Sequence, residues 1–411
     1  MTDIVEAARP LHRNRDFVCL AGAQGLSLAG REIETIVMPL LVLALTRSPA
    51  QVGLVAACQS LPYLVLSLPA GALVDRSGRR RVMMICEAAR ALAFATLPLA
   101  WLAGHLTLAQ IYAVALVAGS AFVLHNIAEI SAVPLVVAKA ELTKAMSANT
   151  VVEWVGENAG PALGGVLTGL GRTTVTGAML AYAVQAGMLA SSLLFLGAMK
   201  SPLRVARPAE RRPRLLAEMR EGLAWLLGHA QVRTLALLAM ATATCFAPTS
   251  LAIIVLARTS FHAAPAAIGL MFSATGVAGL MANLASPWLR ARVRIGLITV
   301  VGGAMWAFGL ALVAAAPAML WLALAWAIMP IVSGLSGAAA ISYRLSLIPE
   351  AMQGRVNSVF RFMAWGLQPA SLALGGALIG WIGPRDTLWC LAAGLALTAV
   401  GAAASPMRRA I

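Results

Sequence analysis

Glu34 and Glu157 stand inside long apolar runs, where an ionised side chain costs ~2.5–3.5 kcal/mol on insertion scales, so their positions frame the chemistry open to this chain. A carboxyl nearer mid-depth than its neighbours is suited to taking up a proton on one side of a bilayer and releasing it on the other. Gln24, Ser27, Arg31 and Glu34 fall along one helical stripe; Arg31 and Glu34, three apart, are placed to pair, while Glu32 points elsewhere. Asn149, Glu153, Glu157 and Gly160 make a second stripe. Asn126 and Glu129 form a third, with His125 one turn from Glu129, and Asn357, Arg361 and Gln368 form a fourth. A fixed ion pair is the competing reading for each charge. Glu87 and Arg90, three apart, are read as such a pair. Arg361 with Glu129 and Glu153 is read as a lock on the cytoplasmic side.

The elements that must hold these groups follow from hydropathy. Of 411 residues, 60% are hydrophobic and 11% charged, whereas soluble domains keep about a quarter charged. At about 20 residues per span there is room for roughly twelve helices. The apolar runs are continuous rather than alternating, which selects helices over a β-barrel. Spans are predicted near 17–45, 50–74, 82–103, 107–138, 146–169 and 174–198, then near 234–257, 264–287, 295–316, 318–343, 354–382 and 386–406. The expected fold class is therefore all-α integral membrane: twelve transmembrane helices as two pseudo-symmetric six-helix bundles. The boundaries are 1–199 and 234–411 for the bundles and 200–233 for a cytoplasmic linker. Within that linker, Leu215, Leu216, Met219, Leu223 and Leu226 have the spacing of a helix lying on the inner membrane face.

The net charge of +15 reports topology rather than a nucleic-acid partner. Basic residues concentrate in alternate loops (Arg9 to Arg15, Arg76 to Arg81, Lys139 and Lys144, Lys200 to Arg233, Arg290 to Arg294, Arg344 with Arg355, Arg408 with Arg409), and the intervening loops hold only Arg47, Arg172, Arg258 and Arg385. This positive-inside pattern puts both termini in the cytoplasm. The polar start lacks the layout of a signal peptide, so the first span is expected to stay as an anchor. Five cysteines, all in apolar runs and without a CxxC pair, support neither a disulfide framework nor a zinc site. The halves read as diverged copies: Arg47-Ser-Pro-Ala-Gln-Val-Gly53 is similar to Ala263-Ala-Pro-Ala-Ala-Ile-Gly269, and Asn149 to Pro161 repeats the separation of Asn357 to Pro369. Paired halves of this kind point to a rocking transporter with its site at their interface.

Gly71-x-x-x-Asp75-Arg76-x-Gly78-Arg79-Arg80 lies between the second and third spans. Together with the twelve spans and the half-repeat it resembles the loop signature of the major facilitator superfamily, over essentially the whole chain. The resemblance implies a conformational latch: Asp75 meets the positive start of the eleventh span near Gly354-Arg355, and arginines pair with nearby acids. Topology alone is the competing role for the arginines. Gly156-x-x-x-Gly160-Pro161-x-x-Gly164-Gly165 resembles most of that family's fifth-helix antiporter motif, with Ser147 where its upstream glycine would fall. Glycines four apart let another helix approach closely, and Pro161 bends its own helix, which suits a gating element or simple close packing. Arg13-Asn-Arg-Asp16-Phe, Leu45-Thr-Arg-Ser-Pro49 and Glu218-Met-Arg-Glu-Gly222-Leu are similar to a branch holding siderophore exporters and macrolide efflux pumps.

No Walker loop, metal-ligand cluster or nucleophile–base arrangement is legible, so neither ATP drive nor an enzyme is expected, and no cofactor is called for. The reading is a monomeric inner-membrane exporter of bulky amphipathic small molecules such as drugs, coupled to protons. Met38, Gln59, Tyr63, Phe246, Met271, Ser336 and Trp365 would line its cavity. The alternatives are a dedicated siderophore or metabolite exporter with Arg31 or Arg361 on an anionic substrate, an importer, and a non-transporting sensor or scaffold.

Overall fold

The structure is a computed structural model. It describes residues 11–201, 203, 215–290, 292, 295–349 and 352–405; within these, the side chains at 67–69, 71, 72, 75, 76, 139, 215–218, 287, 289, 290, 295, 296, 299, 336–340 and 342 lie outside the description. So do the expectations that fall on them: Arg9, most of the Pro- and Arg-rich linker, Arg408, Arg409, and the side chains of Asp75, Arg76, Leu215, Leu216 and Ser336.

Long runs of Ala, Leu and Val, with prolines and glycines at their ends, form helix, and no strand occurs among the described residues. The helices are α1 (Arg15–Thr46), α2 (Pro49–Ser77), α3 (Arg79–Leu102), α4 (Leu108–Ile130), a one-turn α5 (Val133–Val136), α6 (Leu142–Gly169) and α7 (Thr174–Ala198). After the linker come α8 (Leu215–Gly228), α9 (Ala230–Phe246), α10 (Thr249–Thr259), α11 (Pro265–Arg290), α12 (Ile295–Ala315), α13 (Met319–Leu347), α14 (Gln353–Gly366), α15 (Gln368–Ile382) and α16 (Pro384–Ala404). Taking α9 with α10 and α14 with α15 as single interrupted spans, twelve helical spans result among the described residues. Eight pass on length and hydropathy alone, and α12 and α13 carry shorter apolar stretches over 300–315 and 319–335. The remaining two, α1 and α6, carry Arg31, Glu32 and Glu34 and Glu153 and Glu157. Leucines such as Leu92 (70% exposed) and Leu194 (74%) cover the outer faces, as lipid contact requires.

Three expected spans differ in detail. The fourth helix stops at Ile130, not near 138, and Ser131 turns the chain before α5. The seventh span breaks at Ala247-Pro248 and the eleventh at Leu367, just before Pro369. Proline supplies no N–H to the residue four before it, so Pro248 leaves the carbonyl of Thr244 without its helical donor. The Ser371 hydroxyl takes that place, and Gly375 lets α15 lie against Pro248, whose Cβ would be 2.2 Å from an added Cβ there.

Two compact units divide the chain: Met1–Ala44 with Cys58–Ala209, and Leu45–Ala57 with Glu210–Ile411. In the first, α3 packs on α4 and α7 and α6 on α7, around Phe17, Leu20, Met83, Cys86, Ala128 and Leu196. In the second, α11 packs on α13 and α12 on α13 and α16, while α8 docks with α9 and α14 through Leu226, Val232, Val356 and Phe360. The linker helix is therefore anchored by the wholly buried Leu226, while Leu223 of the predicted stripe stays 40% exposed. The opening turns of α2 group with the second unit because Gly53 meets α15, its added Cβ 2.6 Å from Gly376 Cα.

Candidate functional site

The polar residues of the first unit converge on its interior. Helical spacing on α1 turns Gln24, Ser27 and Glu34 inward, and all three are buried, Glu34 to 2% exposure. Arg31 does not share their environment. Its Nη1 donates to Glu32 Oε1 at 2.8 Å and its guanidinium lies 4.1 Å from the centre of the Phe122 ring. The expected Arg31–Glu34 pair is therefore replaced by Arg31–Glu32. The physical reason is that the turn of α1 carrying Arg31 is partly exposed, so its charge stays near the surface rather than following Glu34 inward.

Glu34 is left with Oε1 unpartnered, beside the Gln59 side chain and in the field of Arg90, Arg31 and Glu32. Tyr182 stands near it on α7 and donates to Met38 Sδ at 3.3 Å, which puts Met38 in the core rather than on a cavity wall.

Glu87 and Arg90 of α3 are paired, Nη1 to Oε1 at 3.4 Å, both at 1% exposure or less. The pair is part of a larger cluster. Ser27 Oγ donates to Glu87 Oε1 at 2.7 Å and accepts from Arg90 Nη1 at 2.9 Å. His125 of α4 reaches Glu87 Oε1 with Nε2 at 3.0 Å and Glu129 Oε2 with Nδ1 at 3.4 Å; the first approach lies off the hydrogen-bond axis. Glu153 of α6 accepts from Gln24 Nε2 at 3.0 Å and Asn149 Nδ2 at 2.9 Å. Glu157 is exposed at the edge of the α1–α6 contact, in the field of Glu32, Arg31 and Glu153. Asn126 is half-buried next to His125. Arg361 belongs to the second unit and is exposed on α14.

The contact between α1 and α6 explains the glycines. An added Cβ would lie 2.9 Å from Leu28 Cβ at Gly156, 2.4 Å from Glu32 Cβ at Gly160 and 2.8 Å from the Ile33 carbonyl at Gly164. Gly165 and Pro161 are also buried on α6. The acid-bearing helix thus rests directly on the glycine face.

The basic turn is shorter than the sequence implies. Helix α2 runs through Ser77, and Gly78 alone, at φ 82°, reverses the chain into α3; glycine is the residue that adopts this conformation without strain. Arg79 Nε donates to Ser131 Oγ at 2.9 Å. Arg80 donates to the carbonyls of Leu196 and Gly197 at 2.8 and 2.7 Å, a cation on the C-terminal end of α7. Gly71, Asp75 and Arg76 lie outside the described side chains. In the second unit, Arg355 Nη1 donates to Glu221 Oε2 of α8 at 2.7 Å, and Gly222 seats α8 against the Arg355 backbone.

Sequence reasoning placed Ser27, Glu87, Arg90, His125 and Glu129 on three helices without joining them. A signal was present in their inward register on α1, α3 and α4, but no spacing rule brings three helices together.

Comparison with known proteins agrees with this architecture. The chain is 28% identical over 396 residues to the multidrug efflux pump Tap of Mycobacterium tuberculosis (strain ATCC 25618 / H37Rv), covering 93% of this chain and 92% of that one. It is 26% identical over 370 residues to the enterobactin exporter EntS of Citrobacter koseri, covering 89% and 84%. In fold it matches the nucleoside transporter NupG (D323A mutant) with a TM-score of 0.77 at 13% identity, over 95% of this chain and 99% of that one. A bacterial homologue of the iron transporter ferroportin in its inward-facing state matches with a TM-score of 0.73 at 15% identity, over 96% and 99%. The family profile matches residues 20–371, and with twelve helical spans behind it the chain belongs to the Major Facilitator Superfamily, a family of transporters rather than enzymes.

Proposed function

We propose that this chain is a proton-coupled secondary active exporter, an antiporter of bulky amphipathic small molecules such as drugs. It works by alternating access as a monomer in a bacterial inner membrane, with both termini and the 200–233 linker in the cytoplasm. The observation that carries the proposal is Glu34: a carboxyl at 2% exposure, in the middle of a span, with one oxygen lacking any donor. A permanently ionised group would be costly there, whereas one that gains and loses a proton as access alternates has a reason to be present. Glu157 is its exposed counterpart on the facing helix.

The acids are also one-sided. The first unit carries Glu32, Glu34, Glu87, Glu129, Glu153 and Glu157 along its spans, whereas the spans of the second carry only Asp386, in the first turn of α16. Proton handling is accordingly assigned to the first unit. The second unit supplies an apolar, aromatic surface: Phe246 lies 4.7 Å from Trp306, and Phe272 5.5 Å from Trp326, ring centre to ring centre. Such rings suit amphipathic compounds, and the similarity to Tap supports that substrate class. The similarity to EntS keeps a dedicated metabolite exporter as the second reading. The engagement of Arg31 by Glu32 and Phe122 counts against its use on an anionic substrate.

The test is ethidium extrusion by purified protein in proteoliposomes under an imposed pH gradient. Glu34→Gln combined with Glu157→Gln is expected to abolish the gradient-driven component, and undiminished extrusion by the double variant refutes the assignment.

A further inference from the structure

The buried cluster on α1, α3 and α4 does more than hold helices together. Its members run from Arg90 and Ser27 through Glu87 and His125 to Glu129, with Glu34 in the field of the fixed Arg90 charge and Glu153 in that of Glu129. Exposure rises toward one end: Glu87 and Arg90 are at 0% and 1%, Glu129 at 8%, and Glu153 is half-buried. A purely structural network at this depth would satisfy its polar atoms. This one leaves Glu34 Oε1, Glu87 Oε2, His125 Nε2 and Glu129 Oε1 without partners, so three carboxyls and one imidazole nitrogen have room for a proton.

We propose that His125 is the proton-exchange residue of this path, passing the coupling proton through the interior of the first unit between Glu87 and Glu129. The proposal rests on the proton-coupled reading above. The charges acting on His125 are Glu87 and Arg90 of α3 and Glu129 of its own helix. With both acids ionised and Arg90 charged, a neutral imidazole leaves one net negative charge in the cluster, and an imidazolium balances it. A proton held by the Glu87 carboxyl moves to Nε2 as the Nδ1 proton leaves for the Glu129 carboxylate. One N–H bond forms, one breaks, and the ring stays neutral. Glu129 then releases its proton toward Glu153.

Proteoliposomes holding a pH-sensitive dye and given ethidium test this directly. Wild type is expected to admit protons as ethidium leaves, and His125→Gln and the less buried Glu129→Gln are each expected to lose that proton entry and the pH dependence of ethidium exchange. Gradient-driven extrusion by both variants at the wild-type level overturns the relay while leaving proton coupling intact. Wild type that moves ethidium without protons overturns the coupled reading, and the relay falls with it. NMR of full-length protein labelled at its histidine rings is a readout that needs no substrate. The signal absent from His125→Gln is expected to shift its titration in both Glu87→Gln and Glu129→Gln, and a signal indifferent to both refutes the exchange role.

Discussion

Gly160→Ala tests whether the α1–α6 contact is as close as the structure gives it. The added methyl would sit 2.4 Å from Glu32 Cβ, 2.7 Å from the Ala29 carbonyl oxygen and 3.0 Å from the Glu32 carbonyl carbon, where ordinary contact begins at 3.4 Å. The shortfall against Glu32 Cβ is 3.4 − 2.4 = 1.0 Å. Two of the three obstructing atoms are backbone, so no rotamer change relieves the clash and α1 must move as a body. Overpacking of this kind costs about 1–3 kcal/mol, and removing a helical glycine returns about 0.4–1 kcal/mol through the unfolded chain. The net expectation is a loss of up to about 2.6 kcal/mol. Gly187→Ala on α7 is the control, since nothing lies within 4 Å of its added Cβ, and it should be neutral or stabilising. Thermal unfolding of both variants in one detergent decides the matter. Gly160→Ala melting at or above Gly187→Ala would sink the close-contact reasoning.

Arg90→Met strands the buried Glu87 carboxylate and is expected to cost about 3–5 kcal/mol, while Glu87→Gln with Arg90→Met recovers much of the loss; thermal unfolding of single and double variants measures the coupling. Ser371→Ala leaves the Thr244 carbonyl without a donor beside Pro248 and should cost about 1–3 kcal/mol, read from the same melting curves. Glu221→Gln removes an ion pair whose side chains are 39% and 53% exposed. It should cost under about 1 kcal/mol at low salt and nothing measurable at high salt, which melting at two ionic strengths would show.

Much of the architecture was legible in the residues themselves. Twelve spans follow from the apolar runs because a bilayer leaves the backbone few options, and helix ends fall near Thr107, Gly78 and Thr173, where caps and turns are encoded locally. The interruptions at Pro248 and Pro369 were also written locally, yet hydropathy over 234–257 and 354–382 reads straight through them, because a window average is blind to one missing N–H. Arg31 shows the same limit at the site. Spacing allowed Glu34 as its partner, and which neighbour it took depended on where α1 is exposed.

By itself the sequence determined that this is a helical membrane protein with ionisable groups inside its apolar runs, since hydropathy and charge cost are properties of residues in any arrangement. Only tertiary structure decided that Ser27, Glu87, Arg90, His125 and Glu129 form one buried cluster, and that Arg31 pairs with Glu32 and not with Glu34. Those outcomes depend on how α1, α3, α4 and α6 rotate against one another. That rotation is set by close approaches such as Gly160 on Glu32, where atoms distant in sequence compete for the same ångström.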